Sequence, residues 1–509
     1  IELPVGEVSE IVSVSGDAPL VESTSNEMAA LIDTRRVEHL PLNGRNTLSL
    51  VSLVPGAQEL VTINEQGYQN NKVVMNGARP EESAWLLDGG ANNTALRNYG
   101  QDVPNPDAIQ EFRVISNNYS AEYGRSVGAV VNVVTRSGSN EFHGSAFEFV
   151  RDRSLTGKNF FEPDKTPLKQ HQFGGTFGGP IIKDKTFFFT SVQSFRRDTT
   201  VFNNNAVVPT AAERRGDFSK SVDRNGAPLV IRDPVSGQSF SGAVIPSARL
   251  NPVALGILDL MVPLPNDPAR SPNALAVRAE APTRNNQVLG KVDHQLSTNH
   301  KLSGGYFWSN NSLIARFPGN IDYQWSDANT TQHNVNIHEY WTASPTLLNH
   351  SRFTFLRSVG LQVQEPGGVT LQDLGSNFEP FAVEKSDVPP PAINVTGYFN
   401  SATPGGGDRR YNSFNFANAT EWLLGKHTLK FGAEGAVVRF HDITSSNRVG
   451  GNMVFDGTFT RNGLADLLLG QVKTMEWGPP TDKYQDSWSL NGYVQDNFRV
   501  WPRLTLNLG

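Results

Sequence analysis

The pattern of apolar and polar positions changes near residue 138 and divides the chain into two parts. Before that point, short apolar runs with mixed helical and strand spacing are separated by glycine and proline turns. After it, longer segments alternate apolar and polar residues, which is typical of strands with two different faces. We therefore predict a small mixed α/β domain followed by a large antiparallel β structure.

The first part contains one short helix and several short strands. Residues 34–40 follow a capping residue, Asp33 or Thr34, and predict a helix. Residues 72–75 and 85–87 each run into an Asn-Gly or Asp-Gly turn and predict strands. This order of elements indicates a compact domain of its own.

The end of the first part has the strongest strand signal. The segment VVNVVT at residues 130–135 is almost wholly β-branched, as expected of a strand that is covered on both faces. The polar residues 90–105 predict a long loop that is largely solvated. Loops of this length are often functional.

Five hairpins can be laid out in the second part. Each joins two alternating segments of roughly nine to eleven residues, long enough to cross a bilayer when tilted. The pairs are 170–177 with 186–192 (through Gly179-Pro180 and Lys183-Asp184), 286–295 with 301–309, 333–343 with 347–356, 414–423 with 427–438, and 490–499 with 504–508. The connections 197–283, 310–332 and 360–410 are long. Alternating short and long connections are typical of outer-membrane barrels.

Composition supports a β structure and excludes several functions. Only 18% of the 509 residues are charged, the net charge is -6, and there is no basic tract, so a nucleic-acid partner is not expected. The absence of cysteine excludes disulfides and thiolate metal sites. No apolar run approaches 18 residues, which leaves either a soluble protein or a membrane β-barrel.

Motifs for catalysis are missing from the sequence. The histidines occur singly, and His333 and His338 cannot share a strand face because their offset is odd. No HExxH, GxSxG or GxxxxGK[ST] motif occurs. We therefore predict no enzyme activity, no cofactor and no metal site.

Four motifs, in this order, resemble TonB-dependent outer-membrane receptors, and more closely their Oar-like subgroup. They are NPDAIQEFRV at 105–114, AEYGRSVGAVVNVVTRSG at 121–138, NEFHGSAFEF at 140–149 and FGGTFGGPIIKDKTFFF at 173–189. The resemblance covers essentially the whole chain. It implies a linker at 1–30, where the tail of an upstream β-sandwich is also conceivable, a plug domain at 31–138 and part of a barrel at 139–509. A barrel that holds a plug needs about 22 strands, so we expect the dozen predicted strands to continue beyond Gly509.

The resemblance also implies a TonB box, which is an extended peptide that adds as a strand to the sheet edge of a periplasmic partner. Its position matches Glu10, Ile11, Val12, Ser13, Val14 and Ser15. The alternative is an ordinary strand and linker at a domain end.

Two further kinds of site follow from the resemblance. Outward plug loops in this family help to bind the solute, which makes Arg97, Asn98 and Tyr99 candidates for ligand binding. The last plug strands contact the barrel wall, so ion pairs with inward-facing barrel residues are expected for Glu111, Arg113, Arg125 and Arg136.

The implied function is energised uptake of a large or scarce solute across the outer membrane of a diderm bacterium. Its partners would be an inner-membrane TonB-type energy-transducing complex, outer-membrane lipid and a solute that the sequence does not identify. The alternative is a non-transporting surface or adhesion protein on the same fold, and a secreted β-rich enzyme is a third, weaker alternative.

Overall fold

The computed structural model describes residues 27–40, 42–63, 69–94, 98–124, 127–158, 160, 162, 164–223, 225–365, 370–378, 388–402, 406–445 and 449–509. The chain folds into a small plug that packs against one face of a large sheet. A third body is built from the long connections of that sheet.

In its described residues, the plug contains a five-stranded sheet, one α-helix and several short 3-10 helices. Its elements are β1 (Met28–Asp33), α1 (Thr34–His39), β2 (Ala57–Ile63), β3 (Gln69–Met75), β4 (Ala84–Leu87), β5 (Gly90–Ala91), β6 (Ile109–Asn117) and β7 (Val130–Thr135). The strand order is β1-β6-β7-β4-β5, with β4 and β7 parallel, and β2 and β3 form a separate hairpin. The predicted helix is confirmed, with Asp33 as its cap: the Asp33 carboxylate accepts from the Arg36 N–H at 2.9 Å.

The plug core continues into the sheet beside it. Trp85 and Phe112 are among its fully buried side chains, as are most valines of β7. Phe189, Leu289 and Phe307 of the large sheet belong to the same cluster of buried residues. The plug is therefore packed against this face of the sheet, which we call the inner face.

The large sheet and its connections contain the remaining elements. They are β8 (His143–Asp152), β9 (Leu168–Ile182), β10 (Thr186–Val207), α2 (Pro252–Met261), β11 (Ala274–Glu280), β12 (Thr283–Ser297), β13 (His300–Arg316), β14 (Trp325–Ser344), β15 (Leu347–Glu365), β16 (Ala392–Val395), β17 (Asn400–Ser401), β18 (Gly406–Leu424), β19 (His427–Ser445), β20 (Asn452–Phe455), α3 (Gly463–Leu468), β21 (Thr474–Glu476), β22 (Thr481–Trp501) and β23 (Leu504–Leu508).

The large sheet has 12 strands in the described residues, ordered β23-β22-β19-β18-β15-β14-β13-β12-β10-β9-β8 with β11 added to β10. The sheet does not close on itself. All five predicted hairpins pair antiparallel as expected. The fold class, a mainly β protein with a partial barrel, is confirmed.

Three details of the predicted hairpins and their connections are wrong. Most of the strands are much longer than predicted, and β14 and β10 contain 20 and 22 residues. The predicted connection 310–332 is largely strand: Asn310 of β13 donates from Nδ2 to Asn329 and Thr331 of β14 at 2.9 Å. The parts of these strands that lie far from the short turns carry polar residues on both faces. The alternation that marks a strand in the sequence therefore disappears there, although the strands remain paired. Pro180 lies inside β9, next to a register shift, and not in the turn.

The long connections fold together into what we call the loop domain. It contains α2, α3 and a four-stranded sheet of order β17-β16-β20-β21. Its core includes Phe218, Ile231, Leu258 and Phe399, all at most 1% exposed. Among the described residues, no helix is long and apolar enough to cross a membrane.

Candidate functional site: the contact between plug and wall

Neutral amide side chains line the inner face of the sheet where the plug meets it. Gln332, Asn334 and Asn336 occupy successive inward positions of β14 because side chains two apart share a face. They are 1%, 0% and 3% exposed. Buried positions are usually apolar, and a buried amide is unfavourable unless it forms hydrogen bonds. Each of these amides therefore needs a hydrogen-bond partner.

Asn92 of the plug supplies partners for two of these amides. Its Oδ1 accepts from Gln332 Nε2 at 2.9 Å and from Asn334 Nδ2 at 3.2 Å. Its Nδ2 donates to the carbonyl oxygen of Asp102 at 3.0 Å and, at 3.4 Å, to that of Gln101. Asn92 therefore joins the plug loop to the wall with both ends of one amide group.

The neighbouring contacts are also hydrogen bonds that amide side chains donate across the contact. Asn336 Nδ2 donates to the Leu87 carbonyl at 3.2 Å, and Gln287 Nε2 donates to the Val103 carbonyl at 3.3 Å. Asn105 Nδ2 donates to Ser191 Oγ at 2.8 Å. Side chains from several strands of the wall therefore form hydrogen bonds with the plug, mostly with its backbone carbonyl groups.

One buried ion pair crosses the contact. Lys291 Nζ of β12 lies 3.6 Å from Asp88 Oδ1 in the plug, and the two side chains are 11% and 10% exposed. The Asp88 carboxylate also accepts from the N–H and the hydroxyl of Thr135 at 2.8 and 2.7 Å. The turn after β4 is therefore tied both to β7 and to the wall.

Aromatic and amide contacts hold the flanks of the plug. The Arg45 guanidinium lies 4.6 Å from the ring centroids of Phe147 and Phe149 in β8. On the other side, Gln495 Oε1 of β22 accepts from the Ser120 hydroxyl and the Ala121 N–H at 2.9 and 3.0 Å. The plug is held at both edges of the sheet as well as at its centre.

Two of the four predicted contact residues make bonds within the plug. Arg113 pairs with Glu27 at 2.7 Å, and Arg136 Nε donates to the Ile109 carbonyl at 3.3 Å, both within the plug. Glu111 lies in β6 between Asp33 of β1 and Val134 of β7. Arg125 lies outside the described residues, and the contact role of these four residues stays a prediction.

Two of the predicted ligand-binding residues, Asn98 and Tyr99, hold the plug loop to its own domain. Asn98 Nδ2 donates to the Glu81 carbonyl at 2.6 Å, and the Tyr99 hydroxyl donates to Glu81 Oε1 at 2.8 Å. Tyr99 is 4% exposed. Arg97 and the TonB-box residues 10–15 lie outside the described residues, and all these site assignments stay predictions.

For the described residues 90–94 and 98–105, the prediction of a largely solvated loop is wrong. Asn92, Gln101 and Asn105 are at most 7% exposed because the loop lies between the plug core and the wall. The sequence did contain a signal for the opposite side of the contact. The stretch QHNVN at residues 332–336 places amides at every second position of a strand, which is the spacing of one face.

Asp102 makes the contact sensitive to pH. Burial raises the pKa of its carboxyl above the usual 3.8, and hydrogen bonds from Asn311, Ser309 and Asn285 lower it in part. The folded protein therefore binds a proton more tightly than the unfolded chain. Between the two pKa values, this carboxyl lowers stability as the pH rises.

Replacing Asp102 with asparagine should remove this dependence. The wild type should lose stability relative to the Asp102→Asn variant as the pH rises from about 4 to 7. The reason is that the Asp102 carboxyl loses its proton in this range, whereas asparagine has no proton to lose. Denaturant unfolding of both proteins in the same detergent measures it. A difference that stays constant across this range would contradict the burial effect.

A long antiparallel sheet with a polar inner face that holds a folded plug defines the class: a plugged membrane β-barrel. Residues 134–509 match the family described as "Outer membrane beta barrel domain". The chain therefore belongs to this family, and its location is the bacterial outer membrane.

Two curated proteins are similar in sequence. The "TonB-dependent transporter Oar" of Myxococcus xanthus is 32% identical over 214 residues, which are 39% of this chain and 19% of that protein. The "Probable TonB-dependent siderophore receptor PirA" of Acinetobacter baumannii is 26% identical over 308 residues, 57% of this chain and 36% of that protein. These relatives are named as a transporter and a receptor, not as enzymes.

Solved structures share the fold. The outer membrane transporter YddB of Escherichia coli superposes with a TM-score of 0.54 at 10% identity over 94% of this chain and 55% of that chain. The siderophore receptor PirA of Acinetobacter baumannii gives 0.50 at 14% identity over 93% and 54%. This chain spans about half the length of each.

Proposed function

We propose that the protein is a TonB-dependent transporter of the Oar-like subgroup that takes up a large or scarce solute. The observation that carries this proposal is the polar contact between plug and wall, centred on Asn92. Water can replace each neutral hydrogen bond when the plug moves, and the net value of such a bond is only about 0.5–1.5 kcal/mol. A plug held in this way fills the barrel and still yields to force.

The strand order of the plug sheet suggests where that force acts first. Residues 10–15, the proposed TonB box, precede β1, and β1 is the edge strand of the plug sheet beside β6. A pull from the periplasm through the preceding linker loads Glu27 and then β1. Glu27 is held by Arg113 at 2.7 Å and by the Ser120 N–H at 3.2 Å. These contacts and the β1–β6 ladder would separate before the contacts at Asn92.

The mechanism then has three stages. Solute binds at outward loops, for which Arg97, Asn98 and Tyr99 are the proposed plug residues. The TonB box pairs with the periplasmic partner by strand addition. Energy from the inner-membrane complex removes part of the plug from the wall and opens a path. No covalent step is needed, and we assign no catalytic residue and no cofactor.

The TonB box is tested by proline substitution. Val12→Pro with Val14→Pro is expected to abolish binding of a purified TonB periplasmic domain to the full-length protein in detergent, because proline has no N–H for the ladder. The control, Val12→Thr with Val14→Thr, keeps both N–H groups and should bind as wild type does.

The same variants separate the transporter from the surface or adhesion protein. A transporter depends on the box, whereas an adhesin does not. Wild-type protein that fails to bind the TonB domain, or proline variants that bind it equally well, would contradict the proposal.

A further inference from the structure

Two histidines share a hydrogen bond on the inner face of the sheet, close to the short turn between β14 and β15. His338 Nδ1 lies 3.0 Å from His350 Nε2. The planes of the two rings differ by 17°, and their centroids are 5.3 Å apart. A single proton is enough for this bond, because one imidazole donates it and the other accepts it. We call His338 and His350 the histidine pair.

The histidine pair lies next to the residues that hold the plug. Asn336, two residues before His338 on β14, donates to the Leu87 carbonyl. Arg352, the register partner of His338, lies beneath the following plug turn, because a Cβ added at Gly89 would be 3.2 Å from Arg352 Nη1. His338 itself is 5% exposed. A change of charge at the pair therefore acts on this turn of the plug.

The carboxylates closest to the histidine pair are already balanced by cations. The matched groups are Asp293 of β12 with Lys301 of β13 at 3.4 Å, Asp88 of the plug with Lys291 of β12 at 3.6 Å, and Glu434 of β19 with Arg352 of β15 at 3.4 Å. The other titratable groups near the pair are Tyr340, which stacks on His350 at 4.3 Å between centroids, Glu122 of the plug, which interacts with Arg352, and Glu339 on the outer face, which pairs with His300 at 2.8 Å. A proton added to the pair therefore brings a positive charge that these ion pairs do not balance.

A further proton on the histidine pair is unfavourable while the plug is docked. One site for it is His338 Nε2, which is buried and has no hydrogen-bond partner in the part of the chain that the structure describes. The other site is the ring of His350, and in both cases the positive charge lies beside Arg352. Burial of a charge without an opposite charge is costly. When the plug turn leaves the wall, water reaches the pair, and an imidazole in water takes up a proton near about pH 6.5.

We propose that the histidine pair is a pH-sensitive switch for docking of the plug. At neutral pH the uncharged pair lets Arg352 and Lys291 hold the turn at Asp88 and Gly89, and a proton on the pair weakens this contact. The undocked state binds the proton more tightly, so docking weakens as the pH falls below about 6.5. The inference needs only the contact between plug and wall, and it is independent of transport.

The switch acts in the direction opposite to that of Asp102. The Asp102 carboxyl weakens the contact between plug and wall as the pH rises, whereas the histidine pair weakens it as the pH falls. The two groups together give docking a maximum at intermediate pH. An experiment on the pair therefore has to compare proteins in which Asp102 titrates alike.

The experiment measures hydrogen–deuterium exchange of the full-length protein in detergent at about pH 7.5 and about pH 5, on either side of the imidazole range. Exchange rates are corrected for the intrinsic pH dependence of amide exchange, and peptides that cover residues 86–92 report the plug turn. His338→Gln with His350→Gln replaces the pair by two neutral amides. The protection of wild type relative to this variant should fall by about tenfold between the two pH values, and about thirtyfold is the limit for one imidazole. A ratio that is the same at both pH values would overturn the proposal.

A matched control removes two histidines from the outer face. His294 bonds to Thr186 at 2.8 Å, and His427 bonds to Asp496 at 2.7 Å. His294→Gln with His427→Gln should keep the pH dependence of wild type at residues 86–92. Peptides from α2 in the loop domain should show no such dependence in any of the proteins. Loss of the dependence in this control as well would contradict its assignment to the pair.

A further variant tests the switch without a change to either histidine. Asp102→Asn removes the carboxyl that acts in the opposite direction. The protection of residues 86–92 should therefore fall more steeply in Asp102→Asn than in wild type as the pH is lowered from about 7.5 to about 5. Protection that is independent of pH in Asp102→Asn would overturn the proposal even if the double glutamine variant failed to fold.

Discussion

Replacing Asn92 with alanine is expected to loosen the plug from the barrel wall. The change removes the acceptor for Gln332 and Asn334, which are both at most 1% exposed, and the donor to the Asp102 carbonyl. Each buried polar group left without a partner costs about 1–3 kcal/mol, and a water molecule in the new space would recover part of this. We expect a net loss of roughly 2–4 kcal/mol in plug docking.

Permeability of the outer membrane reports this loss in cells. Cells with Asn92→Ala should become sensitive to vancomycin, which is too large for an intact outer membrane, and the plug should be cleaved faster by protease in detergent. The control is Asn205→Ala, at an exposed position of β10, which should behave as wild type. Resistance and protease protection that match wild type would show that Asn92 does not hold the plug.

Replacing Trp85 with alanine should have the largest effect on the plug itself. Trp85 is 1% exposed in the plug core. Its ring also lies against the backbone at Gly100, where an added Cβ would come within 2.5 Å of the ring. Gly100 directly precedes Gln101 and Asp102, which face the wall. Loss of the indole thus opens a large cavity and removes the support of the loop, at a cost of about 3–5 kcal/mol.

This prediction is measured by protease protection of the plug and by thermal unfolding. Trp488→Ala makes the same truncation at an outward-facing position that is 80% exposed, and it should leave the plug unchanged. Equal protease protection of the plug in the two variants would mean that Trp85 does not organise the loop.

The local order of the fold follows from the sequence, and its long-range assembly does not. Alternation and turn residues are enough to predict the hairpin between β18 and β19, because both strands and their turn are contiguous. The loop-domain core joins Ile231, Leu258, Phe399 and Leu464 from separate connections. The buried residues of α2, which are Ala254, Ile257, Leu258 and Met261, do follow helical spacing, and that signal was missed. The strands of the loop domain contain only two to four residues, which is too short for alternation to be recognised.

The contacts of the site also depend on long-range assembly, which local sequence patterns do not predict. Arg113 and Arg136 were predicted to contact the barrel because the family resemblance implies that the last plug strands touch the barrel wall. The strand order then places β1 beside β6 and brings Glu27 to Arg113. Much of the contact between wall and plug is made by neutral amides, and the spacing of Gln332, Asn334 and Asn336 is their signal in the sequence.

We expect the plug to yield to a pull on its N-terminal end while the wall stays folded. A disulfide can test where the plug yields, because the chain has no cysteine of its own. A Cβ at Gly90 would lie 2.4 Å from Thr354 Oγ1 and 3.0 Å from its Cγ2, and the Asn336 side chain, whose Oδ1 would be 2.1 Å away, must turn aside to make room for it. Both Thr354 atoms are bonded to the Thr354 Cβ, so the two Cβ atoms are within about 4 Å, which suits a disulfide.

The most direct measurement is single-molecule force spectroscopy on the full-length Gly90→Cys, Thr354→Cys protein in a bilayer, pulled from its N-terminal end. In the reduced form, the plug should unfold past residue 90 before any wall strand does. In the oxidised form, extension of residues 27–90 should stop near about 220 Å, and the force should then rise. Wall strands that unfold before the plug, or the same extension in both forms, would contradict the account.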